Sequence, residues 1–268
     1  MSIVENESVN INLDNKFDYE FTLNYLSTNG YSGAEGTALK SKSGWNNFGN
    51  GTDNYEWSGL PGGNRSSSGD FGFIGYNGFW WSSSESNANY AKYLSLQNLS
   101  SVFSYIINKK NGFSVRCLND DASSAIPGED SLYLVKGDSV LSVYATTDID
   151  SIIFYNPNPI DTTTNSTITD GDGNTYQSVI IGTQEWMTKN LRTTKYSDGT
   201  TIPNVTDEDE WYEAGEWYEA GAWCHYDNDN QYDTIYGKLY NWYAVETGKL
   251  CPSGWHVPSD AEWTVLTD

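Results

Sequence analysis

The runs Gly78-Phe-Trp-Trp-Ser-Ser-Ser-Glu85 and Gly112-Phe-Ser-Val-Arg-Cys117 bracket the stretch whose reading decides the fold of this 268-residue chain. Between them, Tyr93-Leu-Ser-Leu96 and Val102-Phe-Ser-Tyr-Ile-Ile107 alternate or cluster as β-strands do, and Asn108-Lys-Lys-Asn-Gly112 reads as a hairpin turn into Phe113-Ser-Val-Arg-Cys117. The spacing predicts a meander of short strands. Trp80 and Trp81 with Tyr90, Tyr93 and Tyr105 make either a stacking platform or, for Trp81 at least, part of a core. The alternation that follows favours exposure of Tyr90, Lys92 and Gln97.

The composition suits a surface rich in rings. Aromatic residues make up 15% of the chain while Met is nearly absent, so rings must build the core and also spill onto the surface, where they suit recognition of sugars or proteins. Fourteen basic against 36 acidic residues give a net charge of -22, which repels phosphate backbones and excludes nucleic acid as a natural partner. The same acidity suits a divalent cation, although plain solubility is its commoner role. No run of about 18 apolar residues is present, so no transmembrane helix is expected. Residues 1–15 have neither a basic nor an apolar region of the kind a signal peptide needs, and the chain stops within a helix-like stretch at Trp263-Thr-Val-Leu-Thr-Asp268, which reads as a fragment. Cys117, Cys224 and Cys251 lie far apart without paired spacing, which leaves one disulfide and one thiol as the simplest outcome.

Residues 20–119 form a first unit, opening on the amphipathic Glu20-Phe-Thr-Leu-Asn-Tyr-Leu26. A linker over 120–166 holds a small β-hairpin, Leu132–Lys136 with Ser139–Tyr144, and a further strand at Ile152-Ile-Phe-Tyr155. A second unit occupies 167–268, where Thr175–Ile181 and Gly182–Met187 read as strands and Ser259-Asp-Ala-Glu262 as a capping box at a helix start. The tandem hexapeptide Glu210-Trp-Tyr-Glu-Ala-Gly215 and Glu216-Trp-Tyr-Glu-Ala-Gly221 reads as a slippage duplication in a surface loop.

Glu262-Trp-Thr-Val-Leu266 echoes Glu20-Phe-Thr-Leu23, so the chain reads as the back half of one domain followed by the front half of another. Ile181-Gly-Thr-Gln-Glu-Trp-Met187, Tyr236-Gly-Lys-Leu-Tyr-Asn-Trp-Tyr-Ala244 and Leu250-Cys-Pro-Ser-Gly-Trp-His-Val-Pro-Ser-Asp-Ala-Glu-Trp263 resemble the front half of the Fibrobacter succinogenes major paralogous (FISUMP) domain. Gly59-Leu-Pro-Gly-Gly-Asn-Arg65 and the two opening runs resemble its back half. The resemblance implies an α+β, mostly β, C-type lectin-like fold with one or two short helices, in an exported or cell-surface bacterial protein with no established enzymatic activity. It implies a recognition module for polysaccharide, glycan or protein, with Trp80, Ser86, Asn89, Tyr90, Lys92, Tyr93, Gln97, Phe103 and Tyr105 on the binding face. The alternative is a structural or assembly module that completes its half-domains by complementation or swapping, with self-association through those halves. The lectin-like pattern also implies a Cys117–Cys251 bridge and a buried acceptor role for Glu85.

Other chemistry is thinly provided. Asp227, Asp229 and Asp233 make the better candidate calcium ligands, with an Asx-rich loop as the plainer reading. Asp170-Gly-Asp-Gly-Asn174 lacks the rest of an EF-hand loop and reads as a turn. His225 and His256 have no partner at metal spacing, and sets for Ser-His-Asp or zinc catalysis lack members, so no enzyme and no cofactor is expected.

Overall fold

The computed structural model describes residues 35–97, 102–120, 131–136, 139–145 and 168–267. The stretches Glu20–Leu26 and Ile152–Tyr155 lie outside the described residues.

The central element is a five-stranded sheet of β1 (Gly62–Arg65), β2 (Phe71–Ile74), β3 (Asn77–Asn87), β4 (Tyr90–Gln97) and β5 (Val102–Asn108), in spatial order β2-β1-β3-β4-β5. The last three form an antiparallel meander, and Trp81 faces Tyr93, which faces Tyr105. Successive side chains on a strand leave by opposite faces. Phe79, Trp81 and Ala91 therefore enter one core with Phe113, Met187, Leu191, Tyr240 and Trp242. Trp80, Leu94 and Leu96 enter another with Leu39, Trp57, Leu118, Trp186 and Trp263. This sheet is a middle layer, and both Trp80 and Trp81 are fully buried. Gly78 makes the crossing to β1 feasible: a Cβ there would lie 2.3 Å from the Trp80 ring and 2.6 Å from the Leu60 carbonyl.

Phe113–Cys117 corrects the hairpin expectation. The turn over Lys109–Asn111 forms, but the chain then leaves β5 and runs through the interior, bridging Arg65, Trp80 and Tyr240 one residue at a time. It emerges as β6 (Leu118–Asn119), which inserts between β12 (Gln184–Met187) and β15 (Trp255–His256) in a four-stranded sheet closed by β11 (Ser178–Ile181). Residues 35–119 thus supply a strand to a sheet otherwise built from 168–267, and both stretches contribute to all three hydrophobic clusters. A disulfide joins Cys117 to Cys251 across the same boundary.

Two buried arginines tie the stretches together. Arg65 donates to the carbonyls of Val205, Thr206 and Asp207 at 2.7, 3.0 and 3.0 Å. Arg116 donates to the Trp57 carbonyl and to Asn190 Oδ1, with its guanidinium 3.9 Å from the Trp57 ring centroid. Burial pulls the Arg116 guanidinium down to about 9.

Smaller pairs complete the β content: β7 (Ser131–Lys136) with β8 (Ser139–Ala145), β9 (Ile168–Thr169) with β10 (Thr175–Tyr176), and β13 (Trp223–Cys224) with β14 (Leu239–Tyr240). The architecture is mixed, with mostly strands and a few short helices. Helices exceed the one or two expected: α1 (Glu35–Leu39), α2 (Glu208–Glu216), α3 (Asp233–Tyr236), α4 (Trp242–Glu246) and α5 (Asp260–Thr267). The extra one with the clearest cause is α2, which takes in the first copy of the duplicated hexapeptide read as a loop. Asp207 accepts from the Asp209 and Glu210 amides as an N-cap, acidic residues fill the first turn, and Trp211 anchors the buried side. The expected capping box forms at α5, where Ser259 Oγ accepts from the Glu262 amide and Glu262 Oε2 from the Ser259 amide. Among the described residues no helix is long and apolar enough to cross a membrane.

Candidate functional site

The β3–β4 hairpin turns through Ala88-Asn89, and the Asn89 amide donates to Asn87 Oδ1 at 3.0 Å. This turn leaves Ser86, Asn89 and Tyr90 exposed. Lys92, two residues on, is half-buried: its ammonium lies 2.5 Å from Asp260 Oδ2 on α5, while Ser104 Oγ donates to Asp260 Oδ1 at 2.7 Å. Burial pushes the Asp260 carboxyl up, but the bonds from Lys92 and Ser104 outweigh it and hold the group below the ordinary carboxylate range.

The predicted face does not converge on one spot. Tyr90 and Gln97 lie at opposite ends of β4, about 23 Å apart at about 3.3 Å per residue. Even-numbered β4 residues such as Lys92 share a sheet face with Trp80 and Ile106, whereas Tyr93, Gln97 and Tyr105 share the other. Trp80 is corrected from binding residue to core, because the sheet is covered on both sides. Gln97 is half-buried, and its carbonyl accepts from Lys40 Nζ at 3.1 Å. Phe103 sits opposite Ser95 in the register, and its side chain lies outside the described residues. Glu85 is corrected too: it is exposed, and it binds the buried Lys109 ammonium at 2.5 Å.

What the fold does assemble is a row of rings across the sheet. Phe73 lies 6.0 Å from Phe79, Phe79 6.0 Å from Tyr93, and Tyr93 6.1 Å from Tyr105, with Phe113 packed behind Phe79 and Tyr93 at 5.0 and 4.9 Å. These spacings fall within favourable aromatic contact. Both ends of the row are open, Phe73 being 60% exposed and Tyr105 48%. Burial, then the neighbouring Tyr105, raises the Tyr93 hydroxyl above its ordinary value and keeps it neutral. The sequence pattern does not single out Phe73. This residue holds a left-handed φ of 65°, an outlier for a bulky side chain and a form of strain that collects at functional sites. Phe48 is likewise fully exposed, at φ 59°, on a loop tied to the β2–β3 turn through Asn46, whose amide donates to the Gly75 carbonyl at 2.7 Å.

The acidic loop candidates do not form a metal centre. Among the described residues no group of three or more His, Cys, Asp and Glu side chains is placed to hold an ion. Asp229 accepts from the Gln231 amide and side chain at 2.9 and 2.6 Å, and Asp233 is bound by Lys238 at 2.6 Å beside His225. Asp227 is exposed at φ 50°. Turn chemistry and a buried lysine thus claim the oxygens that calcium would use. Asp170 likewise saturates its carboxylate on the Asp172 and Asn174 amides, the Asn174 side chain and the Tyr176 hydroxyl. Cys224 is buried, and burial pushes its thiol up to about 12, which leaves it unreactive.

Residues 179–268 match the Fibrobacter succinogenes major domain. The matched stretch runs from within β11 to α5 and holds Cys251, while the aromatic row lies outside it on 73–105. No curated protein and no solved structure matches the chain.

Proposed function

We propose that the chain is a non-catalytic recognition module of a bacterial cell surface, with a C-type lectin-like fold, that takes a polysaccharide, glycan or protein on the Phe73–Tyr105 face. The observation that carries this reading is the four-ring row with open ends on a sheet whose centre is packed on both sides. A rigid aromatic strip of this kind binds with little ordering penalty, and Ser86, Asn89 and Asn87 beside the hairpin add adaptable polar contacts. The family match supports a surface-associated setting. The test is a glycan and polysaccharide array with the full chain, run with and without calcium, followed by Tyr105→Ala, Phe73→Ala and Tyr90→Ala. Expected is loss of binding by about tenfold or more in Tyr105→Ala and Phe73→Ala at nearly unchanged melting temperature, and indifference to calcium. Flat arrays in both conditions overturn the reading.

A second reading, an assembly module that completes its half-domains by complementation or by swapping, draws on one specific arrangement: β6, the arginine ties and the disulfide join 35–119 to 168–267 within the chain.

A further inference from the structure

The duplicated hexapeptide presents one sequence in two environments. In the first copy every ring carries a cation. The Arg65 guanidinium lies 4.5 Å from the Trp211 centroid and the Lys110 ammonium 4.1 Å from that of Tyr212. Lys110 is also bound by Glu216, the first residue of the second copy, at 2.6 Å. Gly215 admits this lysine, because a Cβ there would lie 2.3 Å from Lys110 Cγ. The Trp-Tyr pair in its acidic setting is thus a receptor for two basic side chains, occupied from within the chain.

The second copy repeats the same residues past the helix end, without an occupant. Trp217 caps the end of α2, the chain turns at Glu219 with φ 45°, and Trp217 and Tyr218 are 70% and 72% exposed. Among the described residues no cation and no other ring lies against either one. Glu213 and Glu219 flank them in sequence and are exposed, while Glu216 is held by Lys110. We propose that Trp217 and Tyr218 dock a basic segment of a partner protein, one that presents two neighbouring Lys or Arg side chains as Arg65 and Lys110 are presented to the first copy. Cation–π contact supplies the attraction, and the carboxylates select positive charge. The first copy's buried partners make it part of the fold; the second is free of that duty. The site shares no residue with the sheet face proposed above.

The test uses the full chain and a labelled Gly/Ser peptide carrying one Arg and one Lys a residue apart, with a control peptide in which both are Gln. Expected in fluorescence anisotropy is binding of the basic peptide and none of the control, weakening with salt. Trp217→Ala/Tyr218→Ala should bind about tenfold more weakly at an unchanged melting temperature, two exposed cation–π contacts being removed. The double variant matters because a chain of charge -22 attracts any cation to some degree. No binding of the basic peptide, equal binding of the control, or equal binding by the double variant overturns the proposal. Retention on a neutral polysaccharide gel that only the double variant loses overturns it in favour of a glycan. Tyr105→Ala is expected to leave peptide binding unchanged.

Discussion

Trp80 and Trp81 are neighbours with the same side chain, yet they belong to different cores. Trp80 gives its indole N–H to Asn190 Oδ1 at 2.9 Å, and Trp81 gives its own to the Tyr240 carbonyl at 2.7 Å. Removing either ring leaves a cavity, while each acceptor keeps a second donor, Arg116 on Asn190 Oδ1 and the Phe113 amide on the Tyr240 carbonyl, so the loss expected for Trp80→Ala is the cavity cost of about 3–5 kcal/mol. Tyr105, half-exposed at a sheet edge, should lose under about 1 kcal/mol on truncation. Urea denaturation of the two variants side by side separates core from surface in the aromatic set; a Tyr105→Ala loss as large as that of Trp80→Ala would make Tyr105 a packing residue. Composition announced that some rings must be exposed. Which rings are exposed was not legible, because adjacent aromatics on a strand covered on both faces carry no inside-outside alternation.

At the scale of an element, α5 shows a capping box extended into an ion-pair network. His256 Nδ1 lies 2.6 Å from Asp120 and Nε2 3.0 Å from Glu262, whose other oxygen accepts from Ser259. The bond to Glu262 raises His256 above 6.5, and the bond from His256 holds Glu262 down at about 2. A raised histidine stabilises the fold fully below its unfolded value near 6.5 and loses that effect as pH rises through its folded value. A lowered carboxylate stabilises fully above its unfolded value near 4.5 and loses that effect as pH falls toward 2. The network therefore contributes most between about pH 4.5 and 6.5. Because His256 is one-third exposed, the effect is about 1 kcal/mol or less. His256→Gln should flatten the fall in melting temperature from pH 6 to pH 8; equal slopes in the two proteins would show that the histidine is not charged there. The Ser259–Glu262 box was readable from local spacing. Its link to Asp120 was not, since 136 residues separate that carboxylate from His256.

For the whole molecule, the decisive feature is that 35–119 and 168–267 share sheets, cores and a disulfide. The bond closes 134 residues, a loop whose constraint on the unfolded chain is worth up to about 5 kcal/mol in the chain-entropy view. Cys117→Ala/Cys251→Ala should thus fall in stability by about 2–5 kcal/mol in guanidinium unfolding. Cys117→Ser and Cys251→Ser chains, mixed after unfolding, distinguish closure within a chain from closure between chains. Separate monomers on non-reducing gels match the bond as it stands here, while a covalent dimer of the two would mark half-domain exchange.

The amino-acid order alone specified what short-range physics can specify. It placed β4 and β5, the turn over Asp170–Asn174, the α5 cap and the small hairpin of β7 and β8, because alternation and turn chemistry act over a few residues. Tertiary structure alone decided the burial of Trp80, the strained exposure of Phe73, the helix in the duplicated hexapeptide and the insertion of β6 between β12 and β15. Each of these depends on what packs against the segment from a hundred residues away. Local patterning carries no record of that neighbour.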